Sequence, residues 1–285
     1  MTDGVAPTDV FGLLADETRL NILRELAAYQ GARGYTKGLT FAELRKTVGV
    51  DDAGRFNYHL NQLRGPLVFK QGEEYLLRNA GFEIVGAMES GAFHERSTSR
   101  TATTSHRCPS CGDSLDATYG YEIVEVTCPT HGMLLRIPLP TEAAVDRSMD
   151  RVVDLANKRG NRQIRQLVDT TCPYCLGAVE VTVPIDADRS GLWCRFTCRT
   201  CWLDQPMGVG VVAVTHPAVV SLYHRHGHDV QRDPSSSFEV VFETTNSATT
   251  SADPRRVTLD ITLDDDEVML TLDDELRVVD VEQNW

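Results

Sequence analysis

Seven of the eight cysteines in this 285-residue chain, with one histidine, form two sets of paired ligands: Cys108-x2-Cys111 with Cys128-x2-His131, and Cys172-x2-Cys175 with Cys198-x2-Cys201. A two-residue gap lets one tight turn aim both side chains at a single ion. A second turn, brought in by a short hairpin, supplies the other two corners of a tetrahedron. The spacing predicts two Zn2+ ions per chain. Each site is then full, with no position for water or substrate, so both ions are expected to hold the fold together and not to catalyse hydrolysis. Scattered thiols or disulfides are the competing reading. Thiols paired this way in a chain lacking an export signal are more often metal ligands.

Three further groups could do chemistry. Cys194 is the odd thiol, four residues before Cys198; it fits a buried strand cysteine better than a redox sensor. His224, His226 and His228 alternate at the end of a helix closed by Gly227, where histidine suits the helix dipole and glycine the C-cap, so ligation is not expected. Arg147, Arg151, Lys158, Arg162 and Arg165 make one stripe on a continuous helix, but Asp146, Asp150 and Asp154 interleave and weaken its field. That stripe reads as a solvated face. No Ser/His/Asp set, phosphate-cradling glycine loop or open metal site stands out, so an enzyme is not expected.

The elements that must position these residues begin with a chain long enough for two or three domains and, at 41% hydrophobic residues, able to bury cores. The first twenty residues lack a basic, apolar leader and carry Asp3, Asp9, Asp16 and Glu17 instead, and the longest apolar stretch, 205–223, is broken by His216 and Pro217. A cytoplasmic protein with no membrane span is expected. The net charge of -13 argues against a nucleic-acid partner, but residues 236–285 alone carry -10 of it, which removes most of that objection. Lysine occurs only at Lys37, Lys46, Lys70 and Lys158, and aspartate outnumbers glutamate. This composition resembles that of halophilic archaeal proteins, although an ordinary acidic cytosolic protein also fits. In molar salt the Debye length falls to about 3 Å, so a dense carboxylate surface stays soluble without strong self-repulsion.

Residues 8–90 read as four or five short helices and a hairpin. Leu20, Leu23, Leu26 and Ala27 recur at helical spacing after Asp16, and Thr40-x-x-Glu43 is a capping box for a helix that Gly49 ends. The next helix starts after Asp51 and Asp52. It buries Phe56, Leu60 and Leu63 and leaves Arg55, Asn57, Tyr58, Asn61, Gln62 and Arg64 outside. A hairpin turning at Gly72 and a helix from Asn79 follow. Three helices and then a ribbon is the order of a winged helix-turn-helix. Arg and Asn on the third helix can each make two fixed hydrogen bonds to a base edge in the major groove. The same polar row also suits the solvated face of a helical bundle.

The segment from Phe11 to Leu26, with its Leu-x-Asp-x-Thr-Arg-x-x-Ile-Leu run, resembles the opening of ArsR-type winged-helix repressors, and His59-Leu60 with Leu63 is similar to their recognition helix. The resemblance covers about residues 8–90. It implies a sequence-specific, usually dimeric regulator that binds double-stranded DNA, with Arg55, Asn57 and Tyr58 in the major groove and the wing, with Lys70, at the Gly72 turn. Many such regulators sense metals through cysteines near that helix. This region has none, which places metal sensing by that route in doubt.

The region 106–227 reads as a repeat in which each ligand set is joined by a strand-like run, 121–127 or 192–197, and followed by a second, 133–139 or 207–214. Each copy then enters a helix, one over 141–167 with a break near Gly160, the other opened by Pro217. Such ribbons resemble those of transcription factors and polymerase subunits, where they are docking knobs. Beyond them, Val257, Leu259, Ile261 and Leu263 alternate with polar residues, and Val268, Leu270 and Leu272 repeat the pattern. With 238–242 and 276–281 they predict a four-stranded antiparallel sheet, and 244–253 a loop. The sheet's apolar face needs a cover, either the helix near Val219 to Tyr223 or a dimer partner.

The expected fold class is α+β and multidomain. Its parts are a winged helix-turn-helix over 1–95, a linker over 96–105, a first zinc ribbon over 106–140, a connecting helix over 141–169, and a second zinc ribbon, helix and sheet over 170–285. The expected function is a DNA-binding transcription regulator, a homodimer whose C-terminal half serves dimerisation, docking or sensing. The alternative is a general factor resembling archaeal transcription factor E, which docks on the transcription machinery without reading sequence.

Overall fold

Four helices begin where the sequence places a short oxygen-bearing side chain. Asp16, Thr40, Asp52 and Ser148 each accept the amide three residues on, and Thr40 and Glu43 complete a capping box. The computed structural model describes residues 7–93, 99–183, 192–230, 233, 238–242, 247–252 and 255–285. It is an α+β chain of helices and small antiparallel sheets, divided into two compact units, 1–95 and 96–285.

In the first unit, helices α1 (Pro7–Leu13) and α2 (Glu17–Gly31) precede a short strand β1 (Leu39–Thr40), helix α3 (Phe41–Val48) and helix α4 (Ala53–Leu63). Strands β2 (Val68–Gln71) and β3 (Glu74–Leu77) form a hairpin, and helix α5 (Asn79–Glu89) closes the unit. The three strands make one sheet in the order β1-β3-β2. Gly49 takes φ 76° at the end of α3, and Gly72 takes φ 59° in the hairpin turn, conformations that cost glycine little. Ile22, Leu23 and Leu26 of α2 bury against Leu44 of α3 and Phe56, Leu60 and Leu63 of α4, all fully sequestered from solvent.

The second unit opens on a four-stranded meander, β4 (Arg100–Arg107), β5 (Ser114–Gly120), β6 (Ile123–Cys128) and β7 (Gly132–Pro138). Helix α6 (Met149–Val168) lies across it, burying Met149, Val152, Val153 and Ala156. A three-stranded sheet follows, β8 (Val179–Thr182), β9 (Trp193–Cys198) and β10 (Asp204–Gly208), with β9 in the middle. A 3-10 stretch over Val209–Thr215 leads into helix α7 (Pro217–Arg225), and helix α8 (Glu239–Phe242) packs on that stretch. The last sheet has the order β11 (Ser247–Ala252), β12 (Arg255–Leu263), β13 (Asp266–Leu272), β14 (Val278–Asn284). Its register sets Val257 opposite Leu272, Leu259 opposite Leu270 and Ile261 opposite Val268. The buried face so formed is covered by α7, as the position of Val219 to Tyr223 suggests.

Five expectations are corrected. The supposed linker 96–105 contains most of β4, a Thr-rich edge strand without apolar alternation. Its polar side chains have structural partners: the Arg100 guanidinium reaches the carbonyls of Ala144 and Arg147 at 2.7 and 3.0 Å. Helix α6 starts at Met149 and not at residue 141, because Ser148 caps it after a 3-10 turn at Thr141–Ala143, and it runs unbroken through Gly160, which sits against Ile137. The apolar run 207–214 is mostly a buried 3-10 segment. Gly210 approaches helix α8 so closely that a Cβ there would collide with the Val240 carbonyl oxygen. Short apolar runs do not distinguish a buried strand from a buried turn of helix. For the same reason 238–242 holds α8 where a strand is expected. The true first strand of the last sheet, β11, lies in the Ser/Thr-rich stretch read as a loop, whose residues 244–246 and 253 fall outside the described ones. β11 reads Ser-Ala-Thr-Thr-Ser-Ala, with no apolar stripe, and is held at the sheet edge by its pairing to β12.

Candidate metal centres and an exposed helix face

The first ligand set joins the β4–β5 turn to the β6–β7 turn, and the second joins the loop before β8 to the β9–β10 turn. Both first turns use the same backbone scheme. Gly112 N–H donates to Cys108 O at 2.8 Å and Cys108 N–H to Asp113 O at 2.8 Å; Leu176 N–H donates to Cys172 O at 3.0 Å and Cys172 N–H to Gly177 O at 2.9 Å. These bonds curl each Cys-x2-Cys so that both sulfurs point into one space.

Within each set of four, all ligand atoms lie within 4.8 Å of one another. Cys108 Sγ is 3.4 Å from His131 Nδ1, Cys128 Sγ is 3.6 Å from the same nitrogen, and Cys111 Sγ is 3.6 Å from Cys128 Sγ. In the second set, Cys172 to Cys201 and Cys175 to Cys198 are both 3.5 Å. A disulfide needs about 2.05 Å. A tetrahedron with metal–sulfur bonds near ~2.3 Å and metal–nitrogen bonds near ~2.0 Å has edges of about 3.5–3.8 Å. The two sets are therefore geometrically suited to hold a metal ion each, and all eight cysteines are free thiols.

The electrostatics agree. The amides of Cys201 and Thr200 donate to Cys198 Sγ at 3.4 and 3.3 Å and bring that thiol down to about 6. The Gly177 amide favours the Cys175 thiolate, but burial and the sulfurs of Cys198, Cys201 and Cys172 push it up to about 12. In the first set burial opposes ionisation of Cys128, yet bonds from His131 and the Thr130 amide bring it down to about 6. Cys111 is favoured by the Asp113 amide but rises to about 12 through burial and its neighbours Asp113, Cys108 and Cys128. Sulfurs this close cannot all ionise unless a cation lies among them. The amide donors are a feature that residue types alone do not display.

Cys194 stays apart from both sets. It is fully buried in β9, donates to Met207 O at 3.3 Å, and burial pushes its thiol up to about 12, which removes the thiolate a redox sensor needs. His226 sits between Asp264 and Asp266, at 3.1 and 3.2 Å, as the C-cap of α7. The metal-suited groups among the described residues do not include the three histidines.

In the first unit Arg55, Asn57, Tyr58, Asn61 and Gln62 all lie exposed along α4, while Phe56, His59, Leu60 and Leu63 are buried beneath them. Asp52 caps the helix through the Arg55 amide at 2.9 Å, and Arg64 reaches Asn61 at 3.3 Å. His59 Nδ1 lies 3.3 Å from the Asp16 carboxylate, joining α4 to the start of α2. Lys70 is exposed on β2, 3.2 Å from Glu73 and next to the exposed Phe69. Among the described residues no helix is long and apolar enough to cross a membrane.

No curated protein and no solved structure matches the chain. Residues 7–88 match the model of a domain of unknown function, DUF7347. Residues 105–278, more than half of the chain and both ligand sets, match that of another, DUF7351, and the protein belongs to this family.

Proposed function

We propose that this protein is a cytoplasmic, sequence-specific regulator of transcription that binds double-stranded DNA through a winged helix-turn-helix in residues 1–95, acts as a homodimer, and carries two structural Zn2+ ions in its C-terminal half. The observation that carries the reading is the exposed row Arg55, Asn57, Tyr58, Asn61 and Gln62 on α4, the helix that follows α3 and precedes the β2–β3 ribbon. A helix with a rigid buried face and an outer row of Arg, Asn and Gln has the donors and acceptors that distinguish base pairs in the major groove. Lys70 on the ribbon stands where a wing meets phosphate. Zinc suits both metal centres because it prefers tetrahedral sets of four thiolates, or of three thiolates and an imidazole, and a filled shell gives the ions a folding role.

Selection of duplex fragments by the full chain at high salt tests the proposal. A shared sequence is expected, with Arg55→Ala and Asn57→Ala each costing about 1–3 kcal/mol at that sequence. Replacing Lys70 weakens binding to all sequences alike and flattens its salt dependence. If no shared sequence emerges, or both alanine variants bind as the parent does, the regulator reading fails in favour of docking on the transcription machinery.

A further inference from the structure

Strands β7 and β10 are outer strands of their sheets, and residues of both, with α6, line a cavity of about 220 Å3 inside the second unit. Buried Ile164 and Leu167 of α6, with Val211 and Val241, form its floor. Its walls are Leu134, Leu135, Ile137, Trp193 and Met207, five large apolar side chains that are each only half-buried. The exposed Arg136, Gln205 and Pro206 mark the mouth. Protein interiors are otherwise close-packed, and a void lined by apolar atoms costs stability in proportion to its volume.

Two local irregularities meet at this space. In β7 the register jumps from Leu135 opposite Val126 to Met133 opposite Thr127, so Leu134 is an extra residue without a cross-strand partner. The bulge brings Leu134 to the cavity beside Leu135, where a regular strand would turn one of the two away. In α6, Gly160 lies inside a 20-residue helix, where glycine is less stable than alanine. Packing does not demand it, because a Cβ there would lie 3.5 Å from Ile137 Cδ1, an ordinary contact. A side chain at this position would instead take up part of the cavity that Gly160 lines.

The lining also sets the chemistry of an occupant. Arg136 is the one charged lining residue among the described ones, and its Nε lies 3.2 Å from a Glu125 carboxylate oxygen. Gln163 donates its amide N–H to the Tyr174 hydroxyl at 3.3 Å, which leaves its carbonyl oxygen able to accept, and Gln205 adds a second neutral amide. An ion would enter an apolar space without a counter-charge, at a large desolvation cost. Addition of a peptide strand along β10 is hindered by Pro206, which has no N–H to donate. A cavity of about 150 Å3 holds one benzene ring, so this larger one has room for a substituted ring or two fused rings.

We propose that the cavity is a binding site for a neutral aromatic small molecule of one or two rings, held against Leu134, Leu135, Ile164 and Met207 with a single hydroxyl or carbonyl at Gln163 or Gln205. Sites for small molecules are concave and mostly apolar, with a few polar groups that fix orientation. This site is separate from the exposed row on α4 and does not depend on duplex recognition there.

The test titrates the metal-loaded full chain with naphthol, a neutral two-ring compound with one hydroxyl, and with naphthoate, its anionic counterpart, by equilibrium dialysis and thermal unfolding. One saturable naphthol site per chain is expected, with a melting temperature that rises with ligand concentration and naphthoate bound at least about 10-fold more weakly. Gly160→Ala should raise the melting temperature of the free protein and weaken naphthol binding by about 10-fold, a pairing of effects that a packing role for the glycine does not produce. Met207→Phe, at a half-exposed wall, narrows the cavity without altering α6 and should weaken binding at least as much. Absence of saturable binding overturns the proposal. So do equal affinities for the two compounds, undiminished affinity in both variants, or a Gly160→Ala protein that melts below the parent. Self-association that naphthol reverses and Met207→Phe abolishes gives the cavity to a second copy of the chain, with the same result.

Discussion

The side-chain carbonyl of Gln30 accepts the backbone N–H of Leu77 at 2.7 Å, with Gln30 only 1% exposed. A buried glutamine at the end of α2 thus satisfies an amide of β3, 47 residues away in sequence, and ties the ribbon to the helical layer. Removing the acceptor leaves a buried N–H with no partner, which costs about 1–3 kcal/mol. Gln30→Leu is expected to lose that much in urea unfolding of the first unit, with the melting of 96–285 unchanged. A neutral outcome means that water reaches Leu77 and that the contact is incidental.

Metal binding should be worth folding energy in one unit only. Both ligand sets lie in 96–285. Elemental analysis of the purified chain is expected to find two Zn2+ per molecule, and Cys111→Ser or Cys175→Ser to lower that count while destabilising this unit. Stripping the metal with a strong chelator should expose the amides of 96–285 to hydrogen exchange while α2 and α4 stay protected. Equal loss of protection in both units contradicts the separation.

Asp150 links α6 to β4 by accepting from the Ser105 amide at 2.6 Å and the Ser105 hydroxyl at 2.8 Å, and these bonds, the amide first, hold its carboxyl below the usual value. A folded pKa below the unfolded one means stability that is present above the unfolded carboxylate pKa of about 3.9 and lost as pH falls through the folded value. The stability gap between the parent and Asp150→Ala, measured by urea at constant zinc, should be flat from about pH 8 to 5 and narrow below about 4. A gap that already changes between about pH 8 and 6 assigns the effect to another group.

How much of this was legible beforehand depended on the range of the interaction involved. The ligand spacing, the Thr40–Glu43 capping box, the Asp16 and Asp52 caps, the Gly49 stop and the Pro217 start are contacts between residues a few positions apart, so each is written in a short stretch of sequence. The same is true of the face on which Phe56, Leu60 and Leu63 lie, and of the alternation in β12 and β13.

Longer-range partners were decided only by the tertiary structure. Arg100 to Arg107 form a strand because β5 and α6 take up their polar side chains, and β11 is a strand because β12 supplies its hydrogen bonds. Val209 to Val214 wind into a 3-10 turn because α8 presses on Gly210. The difference between the two metal turns also needed coordinates. Sequence alone shows eight ligands in two equal sets, whereas the exposure of Tyr174, Leu176 and Trp202 around the second depends on which surfaces the fold brings together.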